Sequence, residues 1–326
     1  MALIDLSNYK PTFINNYRTQ LLLTKYTNQN EGKIANDFWS TWKSQVENIT
    51  PQDIDWIMAN ATLPPTMMNS WLTSFTDFVF GKVTDGWSGV AEVGVEQMNE
   101  NLDRVLGIDL STSAKAKAAE YWSSPFVIDF PELAASMENW IDLRRSYLTE
   151  FLTAEQATSV TQLIQRGVVQ EGINGTDLGK QLKDVVGLTP REETALSNYR
   201  VKLLNAGVAK DRVDSLASTY SNKLKRRRGN RIGRTELSHA YNAANHTTME
   251  QAIVVGDIQQ PVVKKFYAAQ DERTCQMCND LHGKVIGMAD KWRSATEFNI
   301  DQEAQYPPVH VHCRCVVIYT LLGRKV

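Results

Sequence analysis

The sequence predicts an α+β protein: a mostly α-helical N-terminal region followed by a small helix-plus-antiparallel-sheet C-terminal domain closed by a cysteine-rich knuckle. Three observations carry that expectation. Apolar residues recur every three or four positions over most of the chain up to about residue 255, the period of helices with one buried face. From Pro261 the period drops to two, the alternation of strands. All four cysteines (Cys275, Cys278, Cys313, Cys315) and three of the five histidines (His282, His310, His312) fall within one late stretch.

The helical part is read in order. In Glu31–Ile49, the residues Ile34, Phe38, Trp42 and Val46 recur four apart. Thr50-Pro51-Gln52-Asp53 reads as a cap with proline in the first turn. Leu63-Pro64-Pro65 breaks the next helix. An aromatic-rich segment then runs from Met67 to about Leu106, with Trp71, Phe75, Phe78 and Phe80 expected in the core and a break expected near Gly81–Gly89. Ser111–Ser113 supplies a cap, and Pro125 and Pro131 bracket an extended piece, Phe126–Ile128. Helical periodicity returns over Glu132–Leu152. A separate helix is expected from Thr153, with Val160, Leu163, Ile164 and Val168 buried. Thr176 is expected to cap the helix carrying Leu178, Leu182 and Val185. Thr189-Pro190 repeats the cap-then-proline signal, and Gly207 ends the series. These signals place a helical region over 1–207, divisible into 1–130 and 131–207, ahead of a second domain over 208–326.

A basic run follows. Lys223, Lys225, Arg226, Arg227, Arg228, Arg231 and Arg234 put seven cations into twelve residues. It reads either as a phosphate-facing patch on nucleic acid or as a solvated helix face whose arginines pair with neighbouring carboxylates. It has no interleaved aromatics of the kind that stack bases. Arg231–Val255 is the most regular helix, with Leu237, Tyr241, Ala244, Thr248, Ala252 and Val255 on one face. Arg231, Arg234 and Glu236 are expected to tie it to the following sheet by ion pairs, with an active-site Arg/Glu pair as the lesser alternative. His239 and His246 are out of phase on it and cannot share a metal. Strands are expected at Val263–Ala268, Lys284–Gly287 and Cys315–Leu322, with a turn at Leu281-His282-Gly283.

The cysteine spacing carries chemistry. Cys275-x-x-Cys278 and His310-x-x-Cys313 each present two soft or borderline ligands from a short loop, which suits tetrahedral zinc. Cys315 competes for a place, and a four-cysteine site is the alternative. His312 sits beside Cys313 and would strain the chelate. Four protein ligands leave no open position, so the Zn2+ is expected to be structural and to contribute to folding. A redox CxxC is disfavoured because no helix is expected directly after it.

Composition bounds the rest. The 326 residues leave room for two domains with sizeable cores. With 42% hydrophobic and 22% charged residues, general disorder is excluded. A net charge of −2 gives no overall pull toward nucleic acid, so any such contact must be local. No secretory signal is expected in MALIDLSNYKPTF, no stretch nears the roughly 20 apolar residues of a membrane span, and clustered cysteines fit a reducing cytoplasm.

Four motifs in fixed order resemble a known family. They are Arg234-Thr235-Glu236 opening a helix, Asp271-x-Arg273-Thr274-Cys275-x-x-Cys278, Leu281-x-Gly283-Lys284, and Pro307-Pro308-x-His310-x-x-Cys313-Arg314-Cys315. Together they are similar to the phage head morphogenesis family of minor head proteins (Mu F-like and SPP1 minor-head-like) over roughly Val208–Leu322, with a weaker likeness over Thr153–Gly207. His312 departs from the small polar residue more usual there. The resemblance implies a non-enzymatic minor capsid protein of a tailed phage, present in the virion and bound to the portal protein inside the head. It implies help with head assembly, DNA packaging or ejection. Major capsid or scaffold protein and packaged DNA are further partners it implies, and a membrane is not. Two other readings compete: a zinc-supported nuclease of the histidine–metal type with His282, His310 or His312 as base, and a DNA-binding accessory protein.

Overall fold

A computed structural model of the chain describes residues 16–106, 131–254, 256, 258, 261–293 and 303–321. The expected cap at 111–113 and extended piece at 126–128 lie outside these residues, as do Val255 and Leu322. Among the described residues the chain is helical up to Val254: α1 (Asn16–Glu47), α2 (Pro51–Asn60), α3 (Pro65–Phe78), α4 (Thr84–Leu106), α5 (Pro131–Leu163), α6 (Gly175–Val185), α7 (Pro190–Asn205) and α8 (Lys210–Val254). After it come β1 (Val262–Tyr267), the short α9 (Gln276–Leu281), β2 (Val285–Gly287), β3 (Trp292–Arg293), β4 (Glu303–Ala304) and β5 (Val316–Leu321). This is the α+β arrangement the periodicity predicts.

Local chemistry explains the boundaries. The Thr50 hydroxyl accepts from Asp53 N while the Asp53 carboxylate accepts from Thr50 N, a reciprocal cap that opens α2. Thr189 and Glu192 repeat it at α7. The α6 cap is Asn174, whose Oδ1 accepts from Asp177 N at 2.9 Å, two residues before the expected Thr176. No helix starts at Thr153. Its hydroxyl bonds back to Thr149 O at 2.8 Å, the within-helix use of a threonine, so α5 runs through. The expected break near Gly81–Gly89 is instead a wide π-helical turn, Val79–Val83, joining α3 to α4. Its extra residue rotates Phe80 out of the buried stripe. Trp71, Phe75 and Phe78 are buried, but Phe80 is 48% exposed, with the Arg145 guanidinium over its ring. The expected Arg231 start is also corrected: the basic run lies inside α8. Gly229 is interior there because a Cβ would come within 3.1 Å of the Ala35 backbone.

The chain forms two compact units, and their boundaries fall at 31/32, 84/85, 141/142 and 230/231. One draws on Gly32–Thr84 and Asp142–Asn230. Its core gathers Phe38, Trp42, Trp71, Phe75, Phe78, Leu182 and Val185, all 5% exposed or less. Gly187 (φ +90) lets the chain pass against Trp42, where a Cβ would sit 2.8 Å from the indole.

The other unit draws on Met1–Glu31, Asp85–Ile141 and Arg231–Val326. Its sheet has the order β2-β1-β5, antiparallel throughout, with Lys264 opposite Ile286 on one side and Tyr319 on the other. The second part of α8 covers β5, every residue of which is buried. Met249, Ala252, Phe266, Leu281, Trp292 and Val317 form one apolar cluster that also holds Cys278, Cys313 and Cys315. Within this unit Gly94 lets α4 approach α8, since a Cβ would lie 2.9 Å from Tyr241 O.

Candidate metal centre

Two loops and one helix build the centre. The first loop runs from β1 to α9. Asp271 Oδ1 accepts from Arg273 N, and the Thr274 hydroxyl accepts from Asp271 N, closing a tight turn that delivers Cys275. Cys275 then caps α9, its Sγ facing Cys278 N at 3.5 Å. Gly283 (φ +79) turns the chain into β2. The second loop, Tyr306–Cys315, carries His310 and Cys313 and leads into β5. Asp271 and Arg314 join the two loops through a two-point ion pair, one contact of which is 2.6 Å. That pair holds the Asp271 carboxyl well below the usual carboxylate range, chiefly through its bond to Arg314.

The third support is α8, through a contact of Thr235 that its motif does not reveal and through Asn242, which no motif contains. Thr235 Oγ1 accepts from His312 N at 2.7 Å, holding that residue in a left-handed conformation (φ 68). Seven residues on, the fully buried Asn242 donates from Nδ2 to Cys315 O (3.2 Å) and accepts from Val317 N on Oδ1 (3.1 Å). It satisfies the outer edge of β5 as a partner strand would. A polar residue on the buried face of α8 was the available signal. Arg234, next to Thr235, makes a two-point ion pair with Glu31 on α1; the expected tie to the sheet is not what it makes.

The donor atoms converge. Cys275, Cys278 and His310 present ligand atoms all within 4.8 Å of one another, and so do Cys278, Cys313 and Cys315. His310 Nε2 lies 3.2 Å from Cys275 Sγ and 3.0 Å from Cys278 Sγ, and Cys278 Sγ lies 3.8 Å from Cys313 Sγ. Tetrahedral zinc, with Zn–S of about 2.3 Å, spaces its sulfurs by about 3.8 Å, so the arrangement fits such an ion. The His310 Nδ1 faces Val311 O at 2.8 Å, which orients the ring with Nε2 toward the thiols. His310, Cys313 and Cys315 all stand at this one place, so the structure keeps both expected fourth ligands in reach.

The electrostatics describe the same cluster without an ion. Burial works against the Cys313 thiolate, but hydrogen bonds from Cys278, Cys315 and His310 overcome it and put its pKa well below the ordinary thiol value. The Cys278 thiol is pushed up chiefly by its bond to Cys313, and the Cys315 thiol by its bonds to Cys278 and then Cys313. Burial opposes charge on His310, yet its bond to Cys313 and that residue's charge raise its pKa to about 9. Metal ligation needs deprotonated thiols and a neutral imidazole, so an ion binding to this donor set would release protons.

The remaining histidines are elsewhere. His312 belongs to neither donor group; desolvation, then Arg234, Arg314, Arg231 and Arg273, lower its pKa to about 4. His282 Nδ1 accepts from Ala268 N at 3.1 Å. His246 is a buried core residue, 2.8 Å from Tyr319 OH, and His239 packs edge-on against Trp140. One expectation is corrected: a helix, α9, does follow the CxxC directly. It spans only Gln276–Leu281, and Cys278 is engaged with His310 and Cys313 as well as with its CxxC neighbour.

The basic run divides by face. Lys223, Arg226 and Arg227 are exposed, Arg231 is half-buried, and Lys225, Arg228 and Arg234 are buried. Arg228 pairs with Glu155 at 2.7 Å and lies over Trp42, and Lys225 Nζ donates to Lys183 O at 2.9 Å.

A helix clamped by Thr235 and Asn242 to a thiol-and-imidazole knuckle, beside a three-stranded antiparallel sheet, defines a small α+β knuckle domain on a helical chain. Residues 158–318, about half of the chain, match the family described as Phage Mu protein F like protein. The chain belongs to this Mu F-like family of phage head morphogenesis proteins. No curated protein and no solved structure gives a significant match. Among the described residues no helix is long and apolar enough to cross a membrane.

Proposed function

We propose that this head morphogenesis protein is a non-enzymatic minor capsid component that binds the portal protein inside the head and accompanies packaged DNA. Its Zn2+ is held by Cys275, Cys278, His310 and Cys313, with Cys315 as the alternate ligand, and serves folding. The observation that carries the reading is the family match across the knuckle, joined to a donor set with enough protein ligands to close a tetrahedron. The protein resides in the virion near the portal vertex and passes through the host cytoplasm during assembly. Major capsid or scaffold protein is a further contact.

Co-expression with the portal protein of the same phage tests it: a co-purifying complex, and the chain in purified virions, are expected. If neither is found, the reading fails. The nuclease reading is disfavoured because His282 Nδ1 is taken by a backbone N–H and His310 faces the thiols. Plasmid cleavage with magnesium or manganese that His282→Ala abolishes would reverse that judgement.

A further inference from the structure

The basic run has no aromatics interleaved in sequence, but the fold supplies them from α1. Trp39, Trp42, Lys43 and Val46 of α1, Lys183 of α6, and Asn222 and Lys225 of α8 line an open cleft of ≈ 110 Å³. All of these residues belong to one compact unit. Lys43 and Lys183 are exposed at its rim, and the Arg226 guanidinium stands 5.7 Å from the Trp39 ring centroid. Two groups in its wall have unused hydrogen-bonding capacity. The Trp42 side chain is 1% exposed, and its indole N–H has no hydrogen-bond partner among the described residues. The Lys225 ammonium, also buried, spends one of its three donors on Lys183 O. Buried donors left unmet are costly in folded proteins, so an acceptor entering the cleft has hydrogen bonds to gain. Three lysines against one nearby carboxylate, Asp184, which acts on Lys225, favour an anion.

We propose that this cleft binds a phosphate of a nucleic-acid strand, with Lys43, Lys183 and Lys225 as its cationic contacts and Trp39 as the flanking surface for the sugar or base. The chemistry follows from the parts: a cationic recess tracks the backbone, and an aromatic ring beside it packs on the nucleotide without reading sequence. Arg226 adds to the potential at the mouth, while Arg228, paired with Glu155, takes no part. The proposal deepens the reading of a head protein that accompanies packaged DNA and rests on it.

The test is fluorescence anisotropy of a short labelled DNA, single-stranded and duplex, with the full-length protein over a salt series. Binding is expected to weaken with salt at a slope of about −2 for a single strand, from three cations at about −0.7 each. Lys43→Glu with Lys183→Glu, both at exposed positions, should cost roughly tenfold or more and flatten that slope. Trp39→Ala should weaken the single strand further, and Lys223→Glu, outside the cleft, should change little. Inorganic phosphate is the second probe. If phosphate binds and DNA does not, or if the double variant binds DNA like the wild type, the proposal is overturned, as it is if no DNA binds at all. Portal co-purification by the double variant separates the cases: a retained complex without DNA binding removes the cleft and leaves the head-protein reading standing.

Discussion

Replacing Asn242 by alanine tests the tie between α8 and the knuckle. Its amide is the partner of two backbone groups, Cys315 C=O and Val317 N–H, in residues only 2% and 1% exposed. No water can reach them, so truncation orphans both at about 1–3 kcal/mol each, or about 4 kcal/mol together. Asn242→Asp keeps an oxygen for Val317 N–H but turns the second oxygen toward the Cys315 carbonyl, so it should lose the carbonyl arm while sparing the amide arm. Urea denaturation gives the loss, and hydrogen exchange at Val317 N–H locates it: protected in the wild type, fast in Asn242→Ala. A variant that loses less than about 1 kcal/mol and keeps Val317 protected would refute the claim that this side chain serves as the missing strand neighbour of β5.

Three further outcomes follow from buried charge and the donor cluster. Arg228→Ala removes the partner of the part-exposed Glu155 and empties the space over Trp42, so thermal unfolding should show a loss of about 1.5–3 kcal/mol, whereas exposed Arg227→Ala should stay within about 0.5 kcal/mol. Lys264 is fully buried, and burial lowers its pKa to about 8, with Glu250 and Asp290 opposing. The unfolded chain, with a lysine pKa of about 10.4, then binds more protons between the two values, so stability should rise with pH from about 8 to about 10.4. Below that window both states are charged and the penalty is constant, about 3 kcal/mol. Lys264→Met should remove the rise and be at least as stable at neutral pH, less its bond to Gln305 and its contact with Trp292; an unchanged rise in urea midpoints would refute the assignment. Elemental analysis should find one zinc per chain, lost in Cys278→Ser, and a Cys278→Ser protein that keeps stoichiometric zinc would remove that thiol from the site.

What could be read in the sequence was local. Pro51 and Pro190, each preceded by a threonine and followed by a carboxylate at the third helical position, announce their helices because cap chemistry acts within four residues. The donor spacing that brings Cys275, Cys278, His310 and Cys313 together is legible for the same reason: a short loop offering two donors is recognisable whatever surrounds it. The missed features depend on packing or on competition between local signals. Thr153 looks like a cap until its hydroxyl is seen bonding back to Thr149 O. Phe80 follows the buried aromatic stripe until a π turn shifts the phase. The basic run looks like one cationic face, yet on a continuous helix its members point in different directions, so Arg228 meets Glu155 while Arg226 and Arg227 reach solvent.

The same reasoning explains why a helix motif and a cysteine motif some eighty residues apart occur together. Thr235 and Asn242 are two turns apart on α8, which places them on one face. Both grip the arm that carries His310, Cys313 and Cys315: one through His312 N, the other through Cys315 O and Val317 N. Arg234, one step around the helix, points away to Glu31, so adjacent letters of one motif serve different contacts. The second ligand arm is therefore positioned by hydrogen bonds to a helix that owes nothing to metal. The first arm has a turn of its own, the Arg314–Asp271 pair and α9, a helix too short to be stable alone. A metal ion binding both arms would thus contribute most to the Asp271–Leu281 segment and least to β5, which is held by α8 and by the apolar cluster around Phe266 and Val317.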